Sequence, residues 1–102
     1  MSSIIERCKI ILAQHYGAQF AGLILYGSMA RQTATPESDI DLLVLLHKPF
    51  DYFREVRTIV DLLYPIQLTS DRLISAMPAA VDEFERGDIQ LYRNAKREGV
   101  NV

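Results

Sequence analysis

Two aspartates one residue apart, Asp39 and Asp41, introduce the apolar run Leu42-Leu43-Val44-Leu45-Leu46. Side chains alternate along a strand, so the two carboxylates share one face while Ile40 and Leu42 take the other. Like charges that close repel, and one takes up a proton unless a cation lies between them. Hard divalent cations with oxygen ligands are the usual answer, and Mg²⁺ typically takes one or two carboxylates together with substrate phosphates. Gly27-Ser28, separated from Asp39 by ten residues, stands at the end of a second apolar run. A glycine there lets the backbone approach a ligand, the N–H groups that follow can face an anion, and Ser28 adds a hydroxyl. Together, a phosphate-cradling turn and a metal-holding carboxylate pair are what a nucleoside triphosphate with Mg²⁺ requires. Taken singly, each has a plainer reading: a strand-ending turn, and two solvated acids at a frayed strand start.

These residues need a scaffold. Ser3 and Glu6 have capping-box spacing, and Ile4, Cys8, Ile11, Leu12 and His15 recur at helical intervals, which predicts a helix over 3–16 stopped by Gly17. Residues 20–27 are continuously apolar and read as a buried strand. A short helical turn over 28–31 and turn-forming residues among 33–38, with Pro36, lead to a second strand over 39–46. Asp51 is the expected N-cap of a helix over 51–63, with Phe53, Val56, Ile59, Val60 and Leu63 on its apolar face. The stretch from 64 to 70, "YPIQLTS", reads as a third strand with its proline at an edge. A helical stretch then starts at Ser70 or Asp71, interrupted near Pro78. A final helix carries Ile89, Tyr92 and Ala95. The order describes one small α+β domain, a mixed sheet flanked by helices.

Composition narrows the class. With 102 residues, 49% of them hydrophobic, the chain has the makings of one core. No apolar run approaches the roughly 20 residues of a membrane span, and the N-terminal stretch lacks a long apolar segment, so a cytoplasmic location is expected. A net charge of −2 argues against binding nucleic acid through a broad basic face. The cluster Arg93, Lys96 and Arg97 reads as a solvated helix face or, alternatively, a surface for an acidic partner. Cys8, the single cysteine, is expected as an apolar filler. His15 and His47 lack metal-ligand spacing. Phe50, Tyr52 and Phe53 read as packing residues, and Tyr26 as a core tyrosine or a platform for a base.

Gly27-Ser28, ten residues, and Asp39-Ile40-Asp41 match the signature of the nucleotidyltransferase superfamily of DNA polymerase β type. The surrounding "YGSMAR" and "SDIDLLV", and the ending "RNAKREGVNV", resemble the minimal nucleotidyltransferase domains of bacteria and archaea. The resemblance implies the polymerase β-like palm fold. It further implies that Gly27 and Ser28 bind the triphosphate, that Arg31 lies near the phosphates or steadies the loop, and that Asp39 and Asp41 bind Mg²⁺ and serve catalysis. Ser38 is expected to shape the turn. The family reaction transfers a nucleoside monophosphate to a hydroxyl with loss of pyrophosphate.

One departure stands out. Active members usually carry a third carboxylate on the third strand, and the predicted strand puts Gln67 in its place. Asp61 and Asp71 are too displaced to substitute. Domains of this kind are often paired with small helical HEPN proteins, which they neutralise as antitoxins by binding, by adding AMP to a tyrosine, or both. The resemblance therefore implies ATP or another nucleoside triphosphate as substrate and a HEPN-family toxin as partner. The alternative is a catalytically degenerate domain that binds nucleotide or protein. An open sheet edge offers a route to a homo-oligomer.

Overall fold

The computed structural model describes residues 2–31, 33, 35 and 37–102, without the side chains of Ser2 and Ser3. The Ser3 side chain expected as a cap is not among the described side chains, and the turn proline Pro36 lies outside the described residues. The first helix, α1, spans Ser2–Tyr16. Cys8 and Leu12 on it are fully buried, while His15 is exposed with its ring edge-on to Tyr16. Burial pushes the Cys8 thiol up to about 11, so Cys8 is the inert filler expected. A 3₁₀ turn, Gly17–Gln19, leads into β1, Phe20–Tyr26. One helical turn, α2 (Ser28–Arg31), and a loop connect it to β2, Ile40–Leu46. The next helix, α3, spans Tyr52–Gln67, capped as expected by Asp51, whose carboxylate accepts from the Arg54 N–H at 3.0 Å.

Two expectations fail beyond this point. Residues 64–70 are not a strand: α3 runs through Pro65 to Gln67. Pro65 sits in the exposed last turns, where the one intrahelical bond it removes would have ended on the carbonyl of exposed Asp61. The third strand is instead Ile74–Ala80, β3, where a helix was expected. Its sequence, ISAMPAA, has little intrinsic strand preference, and it is extended because parallel pairing with β2 fixes it there. Two short helices follow, α4 (Val81–Arg86) and α5 (Gln90–Glu98), separated by Gly87 in the left-handed region at φ 68°. The expected tail forms a two-residue strand, β4 (Val100–Asn101), paired with β1.

The sheet order is β3-β2-β1-β4, with β2 and β3 parallel and the other pairs antiparallel. A mixed sheet with helices on both faces is the α+β architecture expected. On one face, Leu23, Leu42, Val44 and Leu46 meet Leu12 of α1 and Ile59 and Leu63 of α3. Val60 and Phe53, assigned to the same apolar face of α3, are exposed, and Phe53 packs edge-on against the exposed ring of Tyr52. Of the expected packing aromatics only Phe50 joins this core. Between α1 and α3 the buried Glu55 carboxylate accepts from the Tyr16 hydroxyl at 2.8 Å and pairs with Arg54 Nε at 3.1 Å. On the opposite face Ile24, Leu43 and Leu45 pack against Phe84 of α4 and Ala95 of α5.

The register decides how β3 presents its free edge. The Ile40 N–H donates to the Leu73 carbonyl while Ile40 pairs with Ile74, so Ser75, Met77 and Ala79 turn their backbone groups toward β2. Ile74, Ala76, Pro78 and Ala80 therefore turn theirs outward. Pro78 has no N–H to offer, and the Ile74 N–H is already taken by the Gln67 side-chain carbonyl at 2.7 Å.

Candidate functional site

The end of β1 and the start of β2 lie side by side, with Tyr26 directly opposite Asp41. Parallel pairing places Ser75 of β3 on the other side of Asp41. Tyr26, Asp41 and Ser75 thus form one row across the sheet, on the face that carries α4 and α5. Gly27 turns the chain out of this row at φ 74°, a conformation that suits glycine. A Cβ at this position would press onto the Asp41 carboxylate oxygen Oδ2 and stand 3.3 Å from its Cγ. The glycine is therefore required twice, by the backbone angle and by the carboxylate against it.

After Gly27 the chain enters α2, whose Ala30 and Arg31 N–H groups donate to the Gly27 carbonyl at 3.1 and 3.2 Å. The first N–H groups of a helix have no partner within it, which leaves those of Ser28 and Met29 without one inside α2. Arg31 pairs with Glu98 of α5 through Nη1 and Oε2 at 3.2 Å, which ties the turn to the C-terminal helix. Its charge also reaches Asp41.

Asp41 is half-buried, and burial together with the neighbouring Asp39 charge raises its pKa above the ordinary carboxylate value, against the lowering effect of Arg31. None of the ion pairs among the described residues includes Asp39 or Asp41. Two adjacent, mutually repelling carboxylates with no direct ion-pair partner among the described residues suit a divalent cation that would remove the repulsion. No cluster of three or more metal-ligating side chains occurs among the described residues. Such a cation would complete its shell with water or with substrate oxygens.

Gln67 does not occupy the place expected for a third carboxylate. It ends α3, where its amide donates to the Arg72 carbonyl at 2.9 Å and its carbonyl caps the Ile74 N–H. The position beside Asp41 belongs to Ser75, and β3 carries no acid along its length. Asp61 is exposed on α3, which covers the opposite face, and Asp71 is exposed ahead of β3.

Arg72 is a residue the sequence reading missed. Its Nη1 donates to the carbonyls of Thr35 at 2.7 Å and Ser38 at 3.0 Å, clamping the loop that delivers Asp39. Ser38 shapes that loop as expected, its hydroxyl accepting from the Thr35 N–H at 2.9 Å. Ser70 and Gln67 fix the Arg72 backbone in turn. Only the placement of β3 brings Arg72 to this loop, so spacing alone gave no signal. The basic cluster is likewise engaged: Arg93 binds the Gly87 carbonyl at 2.8 Å, Lys96 the Glu85 carbonyl at 2.6 Å, and Arg97 the Asn94 side-chain oxygen at 3.0 Å. The first two bonds tie α5 to α4 and the third lies within α5, while all three side chains stay exposed.

This fold and this corner define the class. Residues 5–97 match the nucleotidyltransferase domain family, and the chain belongs to it. It is also 32% identical over 89 residues to a protein of Methanocaldococcus jannaschii named "Putative protein adenylyltransferase", across 86% of this chain and 83% of that one. Nucleotidyltransferase domains generally use divalent metal ions and nucleoside triphosphates. Among the described residues no helix is long and apolar enough to cross a membrane.

Proposed function

We propose that this protein transfers AMP from Mg²⁺-bound ATP to a hydroxyl on a partner protein. The observation that carries the reading is the fit of Gly27 against Asp41, which joins a phosphate-type turn and a carboxylate pair into one small corner. In this reading Gly27 and the N–H groups after it receive the triphosphate, with the Ser28 hydroxyl as a further donor. Arg31, held by Glu98, adds positive charge nearby. Asp39 and Asp41 would hold Mg²⁺, and the ion would supply positive charge to the phosphates of the bound triphosphate. The acceptor oxygen forms its bond to the α-phosphorus as the bridging oxygen departs with pyrophosphate. The hydroxyl proton has no carboxylate waiting at Ser75. It passes to water or to a base that the acceptor protein brings.

The partner proposed is a HEPN-family toxin, with this chain as its cytoplasmic antitoxin; the support is the family resemblance and the relative named as acting on protein. The serine in place of an acid also favours a second reading, a degenerate domain that binds nucleotide or protein without chemistry. Calorimetric titration of ATP into the wild type with and without Mg²⁺, and into Asp39→Asn/Asp41→Asn, tests the site. Binding that needs both the metal and the aspartates is expected. Transfer of α-phosphate label to protein then separates the two readings. A folded wild type that binds no Mg²⁺-ATP would refute both the transferase and the nucleotide-binding form of the alternative.

A further inference from the structure

A cavity of about 220 Å³ opens between the Gly27 turn and α5. Gly27 and Arg31 belong to its lining, and Tyr26, Leu91, Asn94 and Glu98 supply the rest of its character. We propose that this cavity receives the nucleobase of the nucleoside triphosphate whose phosphates lie on the Gly27-Ser28 turn. The inference rests on the nucleotide reading above and extends it to the part of the ligand that carries identity.

Size is the first argument. Sites that enclose a drug-sized ligand run to roughly 300–1,000 Å³, so this cavity suits one ring system rather than a whole nucleotide. The triphosphate must then lie outside it, and the shared residue Gly27 puts the turn at its border. Composition is the second argument. Leu91 and the Tyr26 ring give apolar surface for the flat face of a heterocycle. Asn94 gives an amide whose oxygen is already occupied by Arg97, which leaves its NH₂ as donor for a ring acceptor. Glu98 would repel an electron-rich ring edge if its charge were free, but Arg31 at 3.2 Å and Arg97 at 3.6 Å offset it.

Rigidity is the third. The bonds from Arg93 to Gly87 and from Lys96 to Glu85 tie the middle of α5 to α4, and the Gly99 N–H closes its end on the Ala95 carbonyl at 2.8 Å. A wall fixed in advance costs less ordering when the base enters. The competing cavities lack this connection. One, at Lys48, Tyr52 and Tyr92, shares no residue with the Gly27 turn, and the apolar groove between α3 and β3 is lined by Ile59, Leu63 and Ala76 on the opposite face of the sheet.

The test compares two ligands, Mg²⁺-ATP and Mg²⁺-tripolyphosphate, titrated calorimetrically into the wild type, Leu91→Trp and Asn94→Leu. The wild type is expected to bind ATP more tightly than tripolyphosphate. Each variant should weaken ATP about tenfold, the loss of one good hydrogen bond or of the cavity space, with tripolyphosphate unchanged. If circular dichroism shows Leu91→Trp unfolded, Asn94→Leu decides alone, because it removes the amide while keeping the branched shape and the number of side-chain heavy atoms. ATP affinity unchanged in the folded variants, or lost in parallel for both ligands, would overturn the subsite while leaving the phosphate site standing. A wild type that binds neither ligand would overturn the proposed function, and the subsite with it.

Discussion

On one face of the sheet α1 and α3 bury Leu23, Leu42, Val44 and Leu46 completely. On the other, two short helices cover Ile24, Leu43 and Leu45 and stop short of the row Tyr26, Asp41 and Ser75, whose side chains stay half-exposed. The first face holds even its one buried acid, Glu55, in a satisfied pair with Tyr16. The second keeps two repelling aspartates, a glycine at positive φ and an open cavity. Stability drawn from the sealed face lets the other carry features that cost stability.

The contrast can be broken from either side. The largest effect is expected from Leu42→Ala on the sealed face, about 2.7–5 kcal/mol in denaturant unfolding, against less than about 1.5 kcal/mol for Leu91→Ala beside the cavity. Equal losses would mean that the two faces contribute alike. Gly27→Ala comes next: left-handed strain of about 1–2 kcal/mol lowers the melting temperature. The new methyl also displaces the Asp41 carboxylate, so Mg²⁺-ATP binding should vanish in calorimetry while circular dichroism stays native. Arg72→Ala should cost about 1–2 kcal/mol by freeing the 35–38 loop. It should also weaken Mg²⁺-ATP binding without moving the affinity for metal-free ATP, because its target is the delivery of Asp39.

The smallest effect has the opposite sign. Folding raises the Asp41 pKa, so the ionised side chain destabilises the metal-free protein above that pKa, and the penalty fades as pH falls through it. Asp41→Asn should therefore raise the melting temperature slightly at pH 7 without metal. The difference should disappear on acidification, and added Mg²⁺ should stabilise only the wild type. A variant less stable than the wild type at pH 7 would show that Asp41 carries a structural bond rather than a repulsion.

The corner itself was legible in the sequence because its signals are local. A glycine after an apolar run, the two aspartates and the Asp51 cap each act within a few residues. The third strand was not, because local preference misleads there twice. Tyr64, Ile66 and Thr69 look extended and Pro65 looks like a breaker, yet Ile66 is needed in the core and Pro65 falls where a helix tolerates it. Ile74–Ala80, with three alanines in seven residues and interrupted by Pro78, becomes a strand through pairing with β2. Displacing the strand moved the missing carboxylate from Gln67 to Ser75 and hid Arg72, whose value lies in a contact across 34 and 37 positions of sequence.

The outward row of β3 has one more consequence, for how the molecule meets others of its kind in a crowded solution. Stacking of chains strand upon strand needs a regular ladder of donors at an exposed edge. Here Gln67 has withdrawn the first donor and Pro78 has removed the third, so an added strand would find a usable N–H at Ala76 with none at either neighbour in the row. Strand-on-strand growth therefore stalls at this edge. Whatever docks there meets a broken set of backbone donors, so side chains must supply part of the recognition, and they can make it specific.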